Sequence, residues 1–283
     1  MLRNSSINRY SSEVREGLQE LYDICKCSNS DSGNLLLCQQ NGFISFDNSP
    51  TVGIGIEGLN NMQKINTLSF NGIGDMTDDD EYFRKNGNGF FNGISEFENS
   101  LNKEALRYLD IWENVFFIRI FTQVVNILNG QHYDWHLNIN KLSASEKSRH
   151  IREQIIKRLI VAPKLHSIVQ TAYVGQLRNA IAHSKYHCIQ GGIILDNYNS
   201  DKYSILQGLS FDEWEKKYIY SYLIFIGIFE FLEQIKNDFY LPLTAKTSTG
   251  GIPILIPAED KKWITTYIYP NEDGKIWRFT KAK

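Results

Sequence analysis

The sequence predicts a mainly α-helical protein: a four-helix bundle with a mixed α/β region before it and a small β-hairpin after it. Three observations predict this. Residues 101–240 hold long runs with apolar side chains at helical spacing. Asn-Gly, proline and capping residues separate those runs. Short apolar runs broken by glycine-rich or acidic turns flank them on both sides.

Residues 11–27 carry Val14, Leu18, Leu21 and Cys25 at spacings that place them on one helical face. The polar loop "SNSDSGN" follows, and "LLLCQQNGFISF" then reads as a hairpin, because Asn41-Gly42 between apolar runs suits a tight primed turn. "TVGIGIEG" and "INTLSF" are further strand candidates, and residues 72–100 form a glycine, asparagine and acidic stretch that reads as a linker. The first bundle helix runs from about 102 to 128, with Leu106, Leu109, Trp112, Phe116, Ile120, Val124 and Leu128 facing inward and Asn129-Gly130 stopping it. A second covers 143–161. Pro163 opens a third, from Lys164 to His187. The fourth starts after Ser210, whose spacing to Glu213 is that of a capping box. Its run "YIYSYLIFIGIF" ends after twelve residues, too short to span a bilayer, and reads as a buried helix. Beyond Pro242, "GIPILIP" reads as an edge strand and "KKWITTYIYPNEDGKIWRF" as a hairpin around "PNEDG". No internal repeat is present. The expected domains are 1–100 (mixed α/β, of no assignable role), 101–245 (helical bundle) and 246–283 (β tail).

The formal net charge is −2, so no global basic field draws the chain to nucleic acid or membrane. Any polyanion site has to be local. The N-terminus lacks the apolar core of a secretory signal, and the four cysteines show no framework spacing. Together they predict a cytoplasmic protein with reduced thiols and no membrane partner.

Candidate chemistry gathers in "GQLRNAIAHSKYHC", Gly175 to Cys188. If the helix runs on to His187, then Asn179, His183 and His187 stack four apart on one face, with Arg178 beside them. Leu165, Ile168, Val169, Ala172, Leu177, Ala180 and Ile181 cover the other angles and pack inward. Such a helix can form an active-site wall. It can equally be a polar last turn whose histidines and lysine complement the helix dipole. Arg178 and His183 are both expected to point outward from a helix end, where truncation costs little packing.

"RNAIAH", Arg178 to His183, near the end of a long helix in a helical bundle, resembles the signature of the HEPN superfamily: an arginine, usually a polar residue next, and a histidine after four to six intervening residues, here four. The resemblance covers the helical unit at 101–245 and implies a HEPN-type bundle. It also implies a metal-independent endoribonuclease that works as a homodimer through the motif helix, often as a toxin or antiviral defence effector held by an antitoxin or sensor protein. Arg178, Asn179 and His183 would be its catalytic residues. No metal or cofactor is expected. The residue types suit that chemistry. Histidine takes or gives a proton near neutrality, and the arginine fork matches two phosphate oxygens. One copy of the motif supplies one histidine and one arginine, so a symmetric dimer is the economical way to complete a site. Tyr186 follows His183 by three residues, whereas members silenced by tyrosine modification carry it at two, so that regulation is not expected here. The alternative is a non-catalytic HEPN-like scaffold that binds nucleotide or a partner.

Weaker signals surround this one. Seven Lys or Arg between Lys141 and Lys164 oppose only Glu146 and Glu153. Lys147, Arg149, Arg152, Lys157 and Arg158 from this run, with Lys185, Tyr186 and His187, are candidate RNA contacts. The same run can also be a solvated helix face. "GIGIEG" matches a dinucleotide fingerprint without its βαβ setting. The Cys25, Cys27 and Cys38 spacing fits no zinc finger. "HYDWH" lies past a helix stop and reads as loop, and "DMTDDDEYF" as solvated.

Overall fold

The computed structural model describes residues 2–27, 34–40, 42–45, 51–53, 73–74, 76–77, 94–189, 191–199, 205–246, 248–257, 263–271 and 277–279. The protein is mainly helical, with small and mostly antiparallel sheets. In chain order the elements are β1 (Leu2–Arg3), α1 (Asn4–Cys27), α2 (Asn34–Gln40), β2 (Phe43–Ser45), β3 (Thr51–Gly53) and β4 (Met76–Thr77). Next come α3 (Ile94–Glu113), α4 (Val115–Leu128), α5 (Ala144–His150), α6 (Pro163–Ala172) and α7 (Gly175–Ala182). Then follow β5 (Tyr186–Ile189), β6 (Gly192–Leu195), β7 (Gly208–Ser210), α8 (Phe211–Ile235), α9 (Leu241–Lys246), β8 (Ile252–Pro257), β9 (Trp263–Pro270) and β10 (Trp277–Arg278).

Contacts group the chain into two units built from separate segments: Met1–Gly17, Ser69–Asn114 and Pro163–Ile226 form one, and Leu18–Leu68, Val115–Ala162 and Gly227–Lys283 the other. The helical stretch at 101–245 contributes to both.

In the first unit, α3, α6, α7 and the start of α8 bury an aromatic core. Tyr108 packs on Trp214 at 5.7 Å, Trp214 stacks on Tyr218 at 5.9 Å, and Trp112 meets Tyr173 at 4.9 Å. The Trp112 indole N–H donates to Ser221 Oγ at 2.9 Å, so the ring's one polar atom is satisfied where it is buried. The inward face of α3 is Leu101, Ala105, Tyr108, Ile111 and Trp112; Leu106, expected inside, is 62% exposed. Near its start the chain is held by Arg3, whose backbone N–H and guanidinium both reach the buried Glu215 carboxylate, which also accepts from Ser6.

In the second unit, Phe116 and Phe117 of α4 pack on Phe229, with ring centres 5.9 and 6.4 Å away. The "LLLCQQ" run is helix α2, not the first arm of a hairpin. Gly42 stops that helix, its N–H bonding to Leu37 O at 3.1 Å, and the strand after it, β2, pairs with β3. "INTLSF" and most of the expected linker lie outside the described residues.

Three further expectations are corrected. The helix expected over 102–128 starts at Ile94 and is interrupted at Asn114, whose N–H turns back to Ile111 O. The segment 143–161 is one helical run, but it loosens to π geometry at Ile151–Ile155 and tightens to 3₁₀ at Ile156–Val161. The fourth helix begins as expected, with the Ser210 hydroxyl and amide bonded to the Glu213 carboxylate and the Glu213 N–H returned to Ser210 Oγ. It then continues through a π turn and Pro242 to Lys246. By length and composition residues 211–246 could cross a membrane, yet 72% of the most apolar window is buried in the protein, as in a core helix. β8, β9 and β10 form the antiparallel sheet expected of the tail, with β8 at an edge.

Candidate functional site

The motif helix is not continuous with the helix that Pro163 opens. Tyr173 and Val174 separate α6 from α7, and Val174 is extended (φ −125°, ψ 107°). A β-branched residue followed by glycine makes leaving the helix cheap. The broken backbone groups then need partners. Tyr108 of α3 supplies them: its hydroxyl donates to Ala172 O at 3.0 Å and accepts the Val174 N–H at 3.1 Å. Burial pushes the Tyr108 pKa up, which keeps the donated proton in place.

On α7, Gln176, Leu177, Arg178, Ala180 and Ile181 are buried, while Asn179 and His183 are exposed. All seven apolar residues assigned to the inner face of α6 and α7 are buried. Arg178 is not where its place in the motif suggests. Its side chain is 3% exposed and ion-paired with Glu113, the last residue of α3. Burial lowers its pKa from the ordinary arginine value. With a carboxylate in contact the guanidinium remains charged. Arg178 Nη1 also donates to Asn179 Oδ1 at 2.7 Å. Arginine has only donors, so the amide oxygen of Asn179 faces it and the NH₂ group is left to donate elsewhere. A chain therefore runs Glu113–Arg178–Asn179, in which the buried guanidinium links a part-exposed carboxylate to an exposed amide.

His183 closes α7. Its backbone sits at φ −113°, ψ 13°, and its N–H bonds to Asn179 O at 3.2 Å. Ser184 adopts φ +51°, the sole positive φ among described non-glycine residues. The Lys185 N–H then reaches back to Ala180 O at 2.8 Å, closing the helix end much as a left-handed cap does. The expected stripe Asn179–His183–His187 is thereby broken: Asn179 and His183 share the end of α7, but His187 lies in strand β5.

That strand belongs to an antiparallel sheet of β5, β6 and β7, which the sequence reading missed. Its sequence signals are the "GG" at Gly191-Gly192 and the apolar run Ile193–Leu195 after it; the alternation over Tyr186–Ile189 is one of burial, with Ile189 exposed. Gly192 and Gly208 are required by close approach, since a Cβ on either would lie 2.5 or 2.6 Å from a carbonyl oxygen of the neighbouring strand. The sheet is tied to α7 by the buried Gln176. Its side chain donates to Leu206 O (2.7 Å) and accepts the Leu206 N–H (2.9 Å), and its backbone oxygen accepts from Asn197 Nδ2 (2.9 Å). Tyr186 is half-buried with its hydroxyl on Asn102 Oδ1 at 3.0 Å. His187 Nδ1 lies 3.0 Å from the Asp196 carboxylate. Lys185 is exposed. Glu113, Gln176 and Asp196 were all missed as site residues.

The other candidate RNA contacts belong to the second unit, whereas the motif belongs to the first. Lys157 pairs with Glu153, and Arg152 donates to Ser148 Oγ at 3.0 Å. Arg158 is occupied by Asn126 Oδ1 (2.6 Å) and Gln131 Oε1 (2.8 Å). Lys147 is half-buried and Arg149 exposed. Burial pushes the thiols of Cys25 and Cys188 up to about 12 and about 11 and raises that of Cys38, the reverse of what a nucleophilic or ligating thiol needs. Among the described residues no three His, Cys, Asp or Glu side chains are grouped to share a metal ion.

The chain matches no protein-family model, no curated protein and no solved structure. The HEPN resemblance rests on Arg178, Asn179 and His183.

Proposed function

We propose that this protein is a metal-independent endoribonuclease of the HEPN type, acting in the cytoplasm as a toxin or defence effector. In this reading the helices of 101–245 are its HEPN-type bundle, and two copies associate through α7. A single observation carries the proposal: His183 and Asn179 stand exposed, one turn apart at the end of α7, with the asparagine amide set by a buried arginine. The cleaved bond is opened by the substrate's own 2′-hydroxyl. His183 handles a proton, and the Asn179 NH₂ group donates to a phosphate oxygen. Arg178 acts from beneath as a positioning residue, not as the phosphate fork its residue type suggests. DNA lacks the nucleophile and would not be cut. Antitoxin or sensor proteins are the partners such an activity requires.

The burial of Arg178 also favours a second reading, a non-catalytic scaffold, since the motif arginine is already neutralised by Glu113. Cleavage of single-stranded RNA by the purified protein separates the two. Wild type is expected to give 2′,3′-cyclic phosphate and 5′-hydroxyl ends, and His183→Ala to lose about a hundredfold or more in rate while unfolding normally, because its side chain is exposed. A wild type that cuts no RNA would leave the scaffold reading in possession, and full turnover in His183→Ala would refute the site assigned to His183.

A further inference from the structure

Transesterification of RNA needs two proton transfers, one from the 2′-hydroxyl and one to the leaving 5′-oxygen, and His183 alone accounts for one. We infer that the His187–Asp196 pair is the second proton-transfer group, so that one chain carries both. The inference rests on the ribonuclease reading above.

The pair has the build of an oriented base. Asp196 contacts Nδ1 of His187, 3.0 Å to one carboxylate oxygen and 3.2 Å to the other. A carboxylate there fixes the tautomer with the proton on Nδ1, leaves Nε2 as the acceptor and stabilises the imidazolium that forms. Both side chains are about half exposed, 53% and 47%, so substrate can reach them. The fold has little use for such a contact, because exposed ion pairs contribute little to stability.

The pair is also held on the frame that holds His183. Lys185, two residues past His183, bonds through its N–H to Ala180 of α7 and through its carbonyl to the Asp196 N–H at 2.9 Å. Asn197, next to Asp196, is bonded to the backbone oxygen of Gln176 in the same helix. β5 and β6 pair in register with His187 opposite Ile194. Both histidines are thus anchored to α7 by backbone contacts. Four residues of chain span at most about 14 Å, and the 2′- and 5′-oxygens are bonded to one phosphorus, so the two imidazoles must lean toward a single phosphate between them.

The step then balances within one chain. Neutral His187 takes the 2′-hydroxyl proton at Nε2 as the 2′-oxygen attacks phosphorus. His183, entering as imidazolium, gives its proton to the departing 5′-oxygen. A P–O bond forms, another breaks, and the histidines exchange protonation states, to be reset by solvent. Asp196 is a positioning residue, and His187 a catalytic one.

The test is the rate and pH profile of cleavage of a single-stranded RNA by full-length wild type, His187→Gln and Asp196→Asn, with urea unfolding of each. Both variants are expected to unfold like wild type and to lose at least tenfold in cleavage, with Asp196→Asn also displacing the acidic limb of the profile. An equimolar mixture of His183→Ala and His187→Gln chains is expected to stay inactive in any site made by one chain. Cleavage by either single variant at the wild-type rate and with the wild-type profile overturns the inference and leaves the ribonuclease reading standing. Recovery of activity in the mixed chains overturns the one-chain site. A wild type that cuts no RNA removes both.

Discussion

Replacing Arg178 with alanine is expected to destabilise the protein by about 2–4 kcal/mol, although the residue belongs to the motif assigned to chemistry. Its guanidinium is 3% exposed and its partner, the Glu113 carboxylate, 27%. Deleting one member of a buried ion pair costs about 3–5 kcal/mol, because the other is left uncompensated. With a quarter of its surface in water, Glu113 regains some hydration when Arg178 is lost, which sets the cost at the lower end. Glu113→Ala leaves the more deeply buried partner stranded, with the Asn179 amide oxygen beside it, so it is expected to cost more than Arg178→Ala. The double variant should cost less than the two singles summed, by about 2–3 kcal/mol, the coupling expected of direct partners.

Urea unfolding reads all three. At a slope of about 1–3 kcal/mol per molar, a 3 kcal/mol loss moves the midpoint by about 1–3 M. Arg178→Ala within about 0.5 kcal/mol of wild type, or strict additivity in the double variant, would refute the buried pair and restore an outward-facing arginine. The consequence for activity is direct. Lost cleavage in Arg178→Ala reports on its positioning of Asn179 only if the variant is folded at the assay temperature, whereas His183→Ala carries no such ambiguity.

Two more expectations follow from the same contacts. Cleavage should survive EDTA, since histidines carry its protons; loss on chelation with return on adding a divalent ion would refute that scheme. Stability should fall as pH drops from about 7 to about 5, in part through His150. Thr122 Oγ1 donates to Ile118 O and lies 2.9 Å from His150 Nε2, so the imidazole is the donor there. Burial holds the His150 pKa below the usual histidine value. The unfolded chain takes up this proton near pH 6.5 and the folded protein resists it, so the stabilisation is complete above about 6.5 and is lost toward the lower folded value. His150→Gln keeps a donor for Thr122 and should flatten the fall of the urea midpoint with pH; an unchanged slope counts against the assignment.

What the sequence made legible is what neighbouring residues decide. The Ser210–Glu213 cap, the apolar faces of α6 and α7 and the antiparallel tail are set by contacts a few residues apart, and they are found as expected. Gly42 shows where that locality ends. Asn-Gly between apolar runs is strong hairpin chemistry, but this glycine serves a distant need. A Cβ there would come within 2.9 Å of the Trp135 ring, and its carbonyl accepts from Tyr133 and Arg119. Residues far along the chain claim it, and the run before it is left to form α2.

The motif helix fails and succeeds for the same reason. Helical spacing placed Asn179 and His183 correctly because both lie within α7 or at its cap. It could not place His187, because the helix ends through a left-handed serine, a conformation that serine's side chain does not advertise. Nor could it place Arg178. Whether an arginine at this angle faces water or the interior depends on whether a carboxylate waits there, and Glu113 is supplied by another helix, at the point where α3 stops. The candidate site thereby divides along a physical line. The groups available to substrate, Asn179, His183, His187 and Asp196, lie on the surface with little at stake for the fold. The groups that aim or anchor them, Glu113, Arg178 and Gln176, are tied into the interior, where their loss costs stability first. Variants of the first set should separate activity from folding, and variants of the second should not.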